Sequence, residues 1–157
     1  MSVSTKLADF LDQKHVPYVT LPHPRAFTAQ EIAAAVHVPG WEVAKSVIVR
    51  ADGRFLMAVL PATRRIDLDQ LKHAIGVSVI RLATEAEFAE LFPECEVGAM
   101  PPFGNLYQIP VVVDQSLKKD KEIVFNAGTH TETIRMSFEE FTDLVRPMFA
   151  SFTEKPI

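Results

Sequence analysis

Lys45 is the residue of this sequence best suited to charge chemistry. It stands among valines and isoleucine at the start of "EVAKSVIVRADGRFLMAVLPA", residues 42–62, a run otherwise built for burial. A lysine at the margin of a buried strand can lay its stem along apolar surface and leave its ammonium in water. The alternative is a cation aimed into a pocket, where it would hold a phosphate or polarise a carbonyl. Two later stretches have similarly unusual texture. "GAMPPFGN", residues 98–105, contains Gly98, Gly104, Pro101 and Pro102. Prolines stiffen such a loop, and glycines let backbone amides approach a ligand closely enough to make a neutral oxyanion site. A tight connection would explain the same residues. In "FNAGTHTETIRM", residues 125–136, Asn126, Gly128 and His130 interrupt strand-like sequence, which fits either a bulge at Gly128 or part of a site.

Several other chemistries lack their residues. His15, His23, His37, His73 and His130 show neither the i, i+4 pairing of a zinc helix nor a partner Cys-x-x-Cys, so no metal is expected. There is no G-x-x-x-x-G-K loop and no G-x-G-x-x-G after a strand, so no nucleotide cofactor is expected either. No G-x-S-x-G elbow marks a serine nucleophile. Cys95 lies between Glu94 and Glu96, a setting that raises a thiol pKa and makes a poor nucleophile.

The elements that must position these residues follow from periodicity and capping. Leu7, Phe10 and Leu11 give a short amphipathic helix from Thr5 to Lys14, and "VPYVTLPHP" reads as extended, at a sheet edge or in a loop. Thr28 and Glu31 have capping-box spacing ahead of "IAAAV", with Pro39-Gly40 as the stop. From Val43, alternation puts Lys45, Val47 and Val49 on one face of a strand and Ala44, Ser46, Ile48 and Arg50 on the other. Asp52-Gly53 predicts a hairpin turn, and the return strand, Phe55 to Leu60, is apolar on both faces and therefore central. Asp67 starts a helix carrying Leu68, Leu71 and Ile75 that stops at Gly76. "VSVIRL" is a further strand candidate, and Thr84 and Glu87 repeat the capping box before "FAELF". "YQIPVVVD" and "EIVFNAG" are expected to pair as strands across the polar turn "QSLKKDK", with "TETIRM" as another strand. Ser137 and Glu140 predict a third capping box before "FTDLV".

The sum is an α+β fold: a mixed, mostly antiparallel sheet of about six strands surrounded by helices, with residues 1–157 forming a single domain. A composition of 48% hydrophobic and 23% charged residues suits a folded globular chain. The net charge of −4 argues against broad nucleic-acid binding, DNA included, though a local contact stays open. No apolar run reaches membrane-spanning length, the polar N-terminus has no signal core, and the lone cysteine closes no internal disulfide, so the expected location is cytoplasmic.

In their order, the N-terminal helix, "HPRAFTAQEIA", the isolated lysine of "AKSVIVR", the G-x-x-x-P loop "GAMPP", "FG" and "FNAGTHTETIRM" resemble the YbaK/ProX-type aminoacyl-tRNA editing domains over residues 5–145. The resemblance implies the YbaK/ProRS-associated domain fold and hydrolysis of the ester joining a wrong amino acid to tRNA. With no room for a synthetase, the chain would act in trans, taking the acceptor end of mischarged tRNA, with a synthetase as a further partner. Lys45 then matches the family's essential lysine, and Gly98 and Pro102 match the fixed positions of its loop. Asn126, Gly128 and His130 fall in its third motif, near bound substrate, and Phe27, Thr28 and Ser46 fall where members line the amino-acid pocket. The substrate's own ribose hydroxyl is implied as an aid to water activation, which would explain why no protein base stands out. Arg64, Arg65, Lys118, Lys119 and Lys121 could face tRNA or be solvated turns. A competing reading is a non-catalytic module that binds a small molecule or protein through the same pocket; a third leaves Lys45 a plain surface residue.

Overall fold

The computed structural model describes residues 4–154; the outermost three residues at each end of the expected 1–157 domain lie outside the described residues. A five-stranded sheet is ordered β5-β2-β3-β6-β9, with β2 (Ala44–Ala51), β3 (Arg54–Pro61), β5 (Ile80–Leu82), β6 (Val111–Asp114) and β9 (Met148–Ala150). Against it lies a three-stranded sheet ordered β1-β8-β7, with β1 (Tyr18–Pro22), β7 (Glu122–Thr129) and β8 (Glu132–Ser137). A short pair joins β4 (Arg65–Ile66) to β10 (Thr153–Glu154). The strands are thus shared between two layers, and the α+β class with mixed, mostly antiparallel pairing is as expected.

Strand β3 is central because both of its faces are apolar. Met57 and Val59 enter one core with Ile48, Val111 and Val113, where Phe125, Ile134 and Met136 of the second sheet cover them. Leu56, Ala58 and Leu60 enter the other, closed by Leu71 and Phe152. Asp52 and Gly53, both at positive φ, make the two-residue turn that sets β2 on β3, with Lys45 opposite Leu60. Pro22 sits on edge strand β1, where the missing N–H leaves no ladder bond unmade.

The helices begin at the expected caps. In α1 (Thr5–Gln13), Ser4 accepts from the Leu7 amide, and Leu7 and Leu11 are fully buried, each contributing about 1.5–3 kcal/mol of apolar burial. Helix α2 (Ala29–Ala35) carries both halves of the Thr28–Glu31 box, and α3 (Leu68–Ile75) starts on Asp67 and ends at Gly76. Thr84 and Glu87 also form a full box, yet the helix they start is one turn, α4 (Glu85–Phe88), and "FAELF" continues as a 3₁₀ turn at Ala89–Leu91. At α5 (Phe138–Val145) Ser137 accepts from the Glu140 amide, which is the hydroxyl half of the predicted box.

One expected pairing is corrected. β6 does not pair with β7; it lies parallel between β3 and β9, while β7 pairs with β8. The polar turn is a 3₁₀ segment, Gln115–Lys119, whose Leu117 is buried and whose leading Asp114 accepts from the amides of Ser116 and Phe152. Those bonds turn the chain out of the first sheet. All four residues of β6 are buried, the condition under which a strand takes parallel neighbours with both faces covered.

Candidate active site

The site is built around the end of β7. An isolated parallel bridge joins Val43 to Val124, and the residues two places further on, Lys45 and Asn126, reach the same cleft. Past Asn126 the register of β7 on β8 shifts, so Ala127 and Gly128 bulge out of the ladder. Gly128, at φ +102°, donates to the Ala99 carbonyl at 3.0 Å and accepts from the Glu96 amide at 2.8 Å. An L side chain is disfavoured in that conformation. The bulge therefore exists as anticipated, and its freed backbone groups hold the glycine-proline loop.

That loop is clamped elsewhere too. His130 Nε2 donates to the Val97 carbonyl at 2.8 Å, and the His130 amide donates to Glu96 Oε1 at 2.8 Å. A carbonyl only accepts, so the ring proton is on Nε2. Glu96 also meets Arg25 at 3.1 Å, and its carboxyl lies below the usual range chiefly because of the His130 amide. At the loop's far end Phe103 is fully buried, 5.5 Å from the Phe125 ring and 5.4 Å from Phe141. Such ring pairs add about 0.5–1.5 kcal/mol each beyond their burial. Between the two anchors Gly98 takes φ +86°. Among the described residues, neither the Gly98 nor the Met100 amide donates to a backbone carbonyl.

The segment before α2 hangs on the same turn. Ala26 donates to the His130 carbonyl at 3.0 Å, and the Phe27 ring lies 4.8 Å from the His130 ring. Glu31 accepts from the Thr28 amide at 3.0 Å, fixing Thr28 at the mouth of the cleft.

These supports enclose a cleft of about 320 Å³. Phe27, Thr28, Lys45, Ser46, Gly98 and Asn126 all line it. Lys45 is half-buried and in no ion pair among the described residues. Burial, and secondarily the Arg65 guanidinium, hold its pKa below the ordinary lysine value. Ser46 Oγ and Asn126 Oδ1 are buried without hydrogen-bond partners among the described residues, an arrangement that costs about 1–3 kcal/mol per group unless something fills the cleft. Three expected residues do not line it. Pro102 is a buried residue of the loop itself, and Gly128 and His130 hold the loop as its attachments. Gln30 and Met100 line the cleft and escaped the sequence reading. Gln30 follows the Thr28 cap by two places, and Met100 is inside the glycine-proline loop, so position was the only signal for either.

Cys95 lies outside the cleft, and burial pushes its thiol pKa up, beside Tyr107 and Glu94. Among the described residues, no group of three or more His, Cys, Asp or Glu could hold a metal ion.

A family profile described as the aminoacyl-tRNA editing domain matches residues 23–144. The chain belongs to this family. Within it, the chain is 25% identical over 105 residues to the proline–tRNA ligase of Bacillus mycoides (strain KBAB4), covering 67% of this chain and 18% of the ligase. The chain thus spans under a fifth of the length of the curated relatives it matches. The crystal structure of a hypothetical protein superposes with a TM-score of 0.85 at 25% identity, covering 95% of this chain and 99% of that one. A candidate trans-editing enzyme for prolyl tRNA synthetase gives 0.83 at 24% identity over 97% of both chains, a likeness of fold. The editing-domain family thus accounts for the layered α+β architecture and for the segment that carries the cleft.

Proposed function

We propose that this editing domain is a deacylase acting in trans on tRNA that carries a wrong, small amino acid. The observation behind the reading is that Lys45 and Gly98 line one cleft and that, among the described residues, the lysine has no carboxylate partner and the glycine amide donates to no backbone carbonyl. In the reaction, water adds to the ester carbonyl, the carbonyl oxygen takes up negative charge, and the ester C–O bond breaks to give free amino acid and a ribose hydroxyl. A cation and fixed amides suit that charge, each such donor being worth about 2.7–4 kcal/mol in the transition state. Lys45 holds the phosphate or carbonyl end of the substrate, and the Gly98 and Met100 amides face the developing oxyanion.

Asn126 Oδ1 is an acceptor fit for the substrate's α-ammonium, and Ser46 Oγ meets a second polar group of the aminoacyl unit. Phe27 and Thr28 bound the amino-acid end, while Pro102, Gly128 and His130 keep the loop in place. The cleft volume of about 320 Å³ is near the lower limit of about 300 Å³ for ligand pockets, in keeping with a sieve that favours small side chains. Such a sieve serves a need, because a synthetase gains only about 1–3 kcal/mol per methylene against a close analogue. Water held by the substrate's own ribose hydroxyl supplies the nucleophile.

A screen of alanine, serine, cysteine and proline esters on several tRNAs tests the reading. Release of at least one of these small amino acids is the expected result. Every ester surviving saturating protein would leave a non-catalytic binding module in its place.

A further inference from the structure

Beside the cleft runs a roomier groove of about 490 Å³ lined by Trp41, Pro61, Thr63, Arg64, Ser116, Lys119 and Asp120. Trp41, the chain's only tryptophan, is 54% exposed in the 3₁₀ turn ahead of β2. One exposed aromatic ring is unremarkable by itself. This one shares its groove with two cations that, among the described residues, are in no ion pair. Arg64 Nη1 donates to Thr153 Oγ1 at 3.3 Å, which steadies the guanidinium. Asp120 Oδ2 is a buried acceptor without a partner among the described residues.

A single strip of backbone separates this groove from the cleft. The Ala62 amide donates to Val43, which lines the cleft, at 2.8 Å, and the Ala62 carbonyl accepts from Gln30 Nε2, also of the cleft, at 2.9 Å. Pro61 and Thr63, on either side of Ala62, line the groove. Trp41 precedes Lys45 by four residues, so their Cα atoms are at most about 14 Å apart. At about 3.4 Å per stacked nucleotide that distance is spanned by a few nucleotides of one strand.

We propose that this groove seats an unpaired nucleotide of the RNA strand whose esterified end enters the cleft, its base against the Trp41 indole and its phosphate between Arg64 and Lys119. The assignment rests on the editing reading of the cleft. Every base has a face that stacks on an indole, and Arg and Lys supply the sequence-independent grip on phosphate. Asp120 would accept from an exocyclic amino group, favouring bases that carry one.

The test uses uncharged tRNA, so no turnover is involved. Trp41 emission is followed as intact tRNA is added, then as the same tRNA trimmed of its unpaired 3′ nucleotides is added. Anisotropy of the 5′-labelled RNAs reads binding by the variants. Expected are saturable quenching by intact tRNA only, roughly 5- to 100-fold weaker binding by Trp41→Ala, and near-normal binding by Trp41→Phe. Arg64→Gln and Lys119→Gln should each flatten the log-affinity against log-salt slope by about 0.7. Equal quenching by both RNAs, or full affinity in Trp41→Ala, overturns the proposal. So does a Trp41→Ala protein that keeps its RNA affinity but loses retention of a synthetase, since that puts a protein on the groove. A chain that cleaves esters without quenching loses this proposal alone; one that quenches without cleaving loses the editing reading, and with it the path of an esterified end into the cleft, and keeps only the seat of an unpaired nucleotide in the groove.

Discussion

His130 binds the Val97 carbonyl through Nε2 at 2.8 Å, so the peptide entering Gly98 is held by a side chain from the turn between β7 and β8. His130 itself does not line the cleft. Its role is to position the loop, and His130→Ala should lose both a buried hydrogen bond and the ring against Phe27. We expect a loss of about 1–3 kcal/mol in stability, with kcat for ester cleavage falling up to about 100-fold and KM changing little. Thermal melts and single-turnover rates on the same preparation check this. A destabilised variant with wild-type kcat would reduce His130 to packing.

Gly98 and Gly128 should respond differently to alanine although both have positive φ. A Cβ on Gly98 would lie 3.6 Å from His130 Cε1, an ordinary contact, so only backbone strain of about 1–2 kcal/mol is added. On Gly128 it would lie 3.0 Å from Ser4 Cβ and 3.4 Å from the Ser4 amide, whose hydrogen bond to Ala127 is 2.8 Å. Gly98→Ala should stay folded and lose ester cleavage; Gly128→Ala should be the less stable of the two. Urea midpoints in the reverse order would contradict the assignment.

Burial and Arg65 lower the Lys45 pKa, so folding opposes the charged form. The penalty is fully present at neutral pH and disappears as pH rises through the lowered pKa toward the ordinary 10.5. Lys45→Met should therefore raise the unfolding midpoint at neutral pH, with the gain vanishing above that window. Arg65→Ala should shift the alkaline limb of the rate profile to higher pH. A limb that moves down, or a destabilised Lys45→Met, would count against a desolvated cation in the cleft.

The Asp120 carboxyl is pushed up from 3.8 to about 6, first by burial and then by Glu42, with Lys119 opposing. An acid whose pKa is raised on folding destabilises the fold once ionised, so stability is lost as pH climbs from 3.8 to about 6. Asp120→Asn should melt higher than the parent above that window and match it below. Parallel melting curves across the whole range would show that Asp120 titrates normally.

Much of this was legible from local rules. The caps at Thr28, Asp67 and Thr84, the Asp52-Gly53 turn and the central place of β3 each follow from a few neighbouring residues. The pairing of β6 did not, because Val111–Val113 suit any buried strand and its parallel neighbours, β3 and β9, lie more than thirty residues away along the chain. In the site, Lys45 and Gly98 stood out by texture. The bulge at Gly128 was legible too, but not its bonds to Ala99 and Glu96, nor the His130 bond to the Val97 carbonyl, since partners some thirty residues away leave no local mark. Gln30 and Met100 gave no signal because nothing in a glutamine or a methionine marks a pocket wall.

The most direct measurement is single-turnover hydrolysis of a tRNA mischarged with a small amino acid, comparing the wild-type chain with Lys45→Ala. The account predicts rapid release by the first and a rate lower by about 100- to 1,000-fold in the second, both proteins giving the same far-ultraviolet dichroism. Equal rates from two folded proteins would remove the lysine from the chemistry and with it the reading of the cleft as a hydrolytic site.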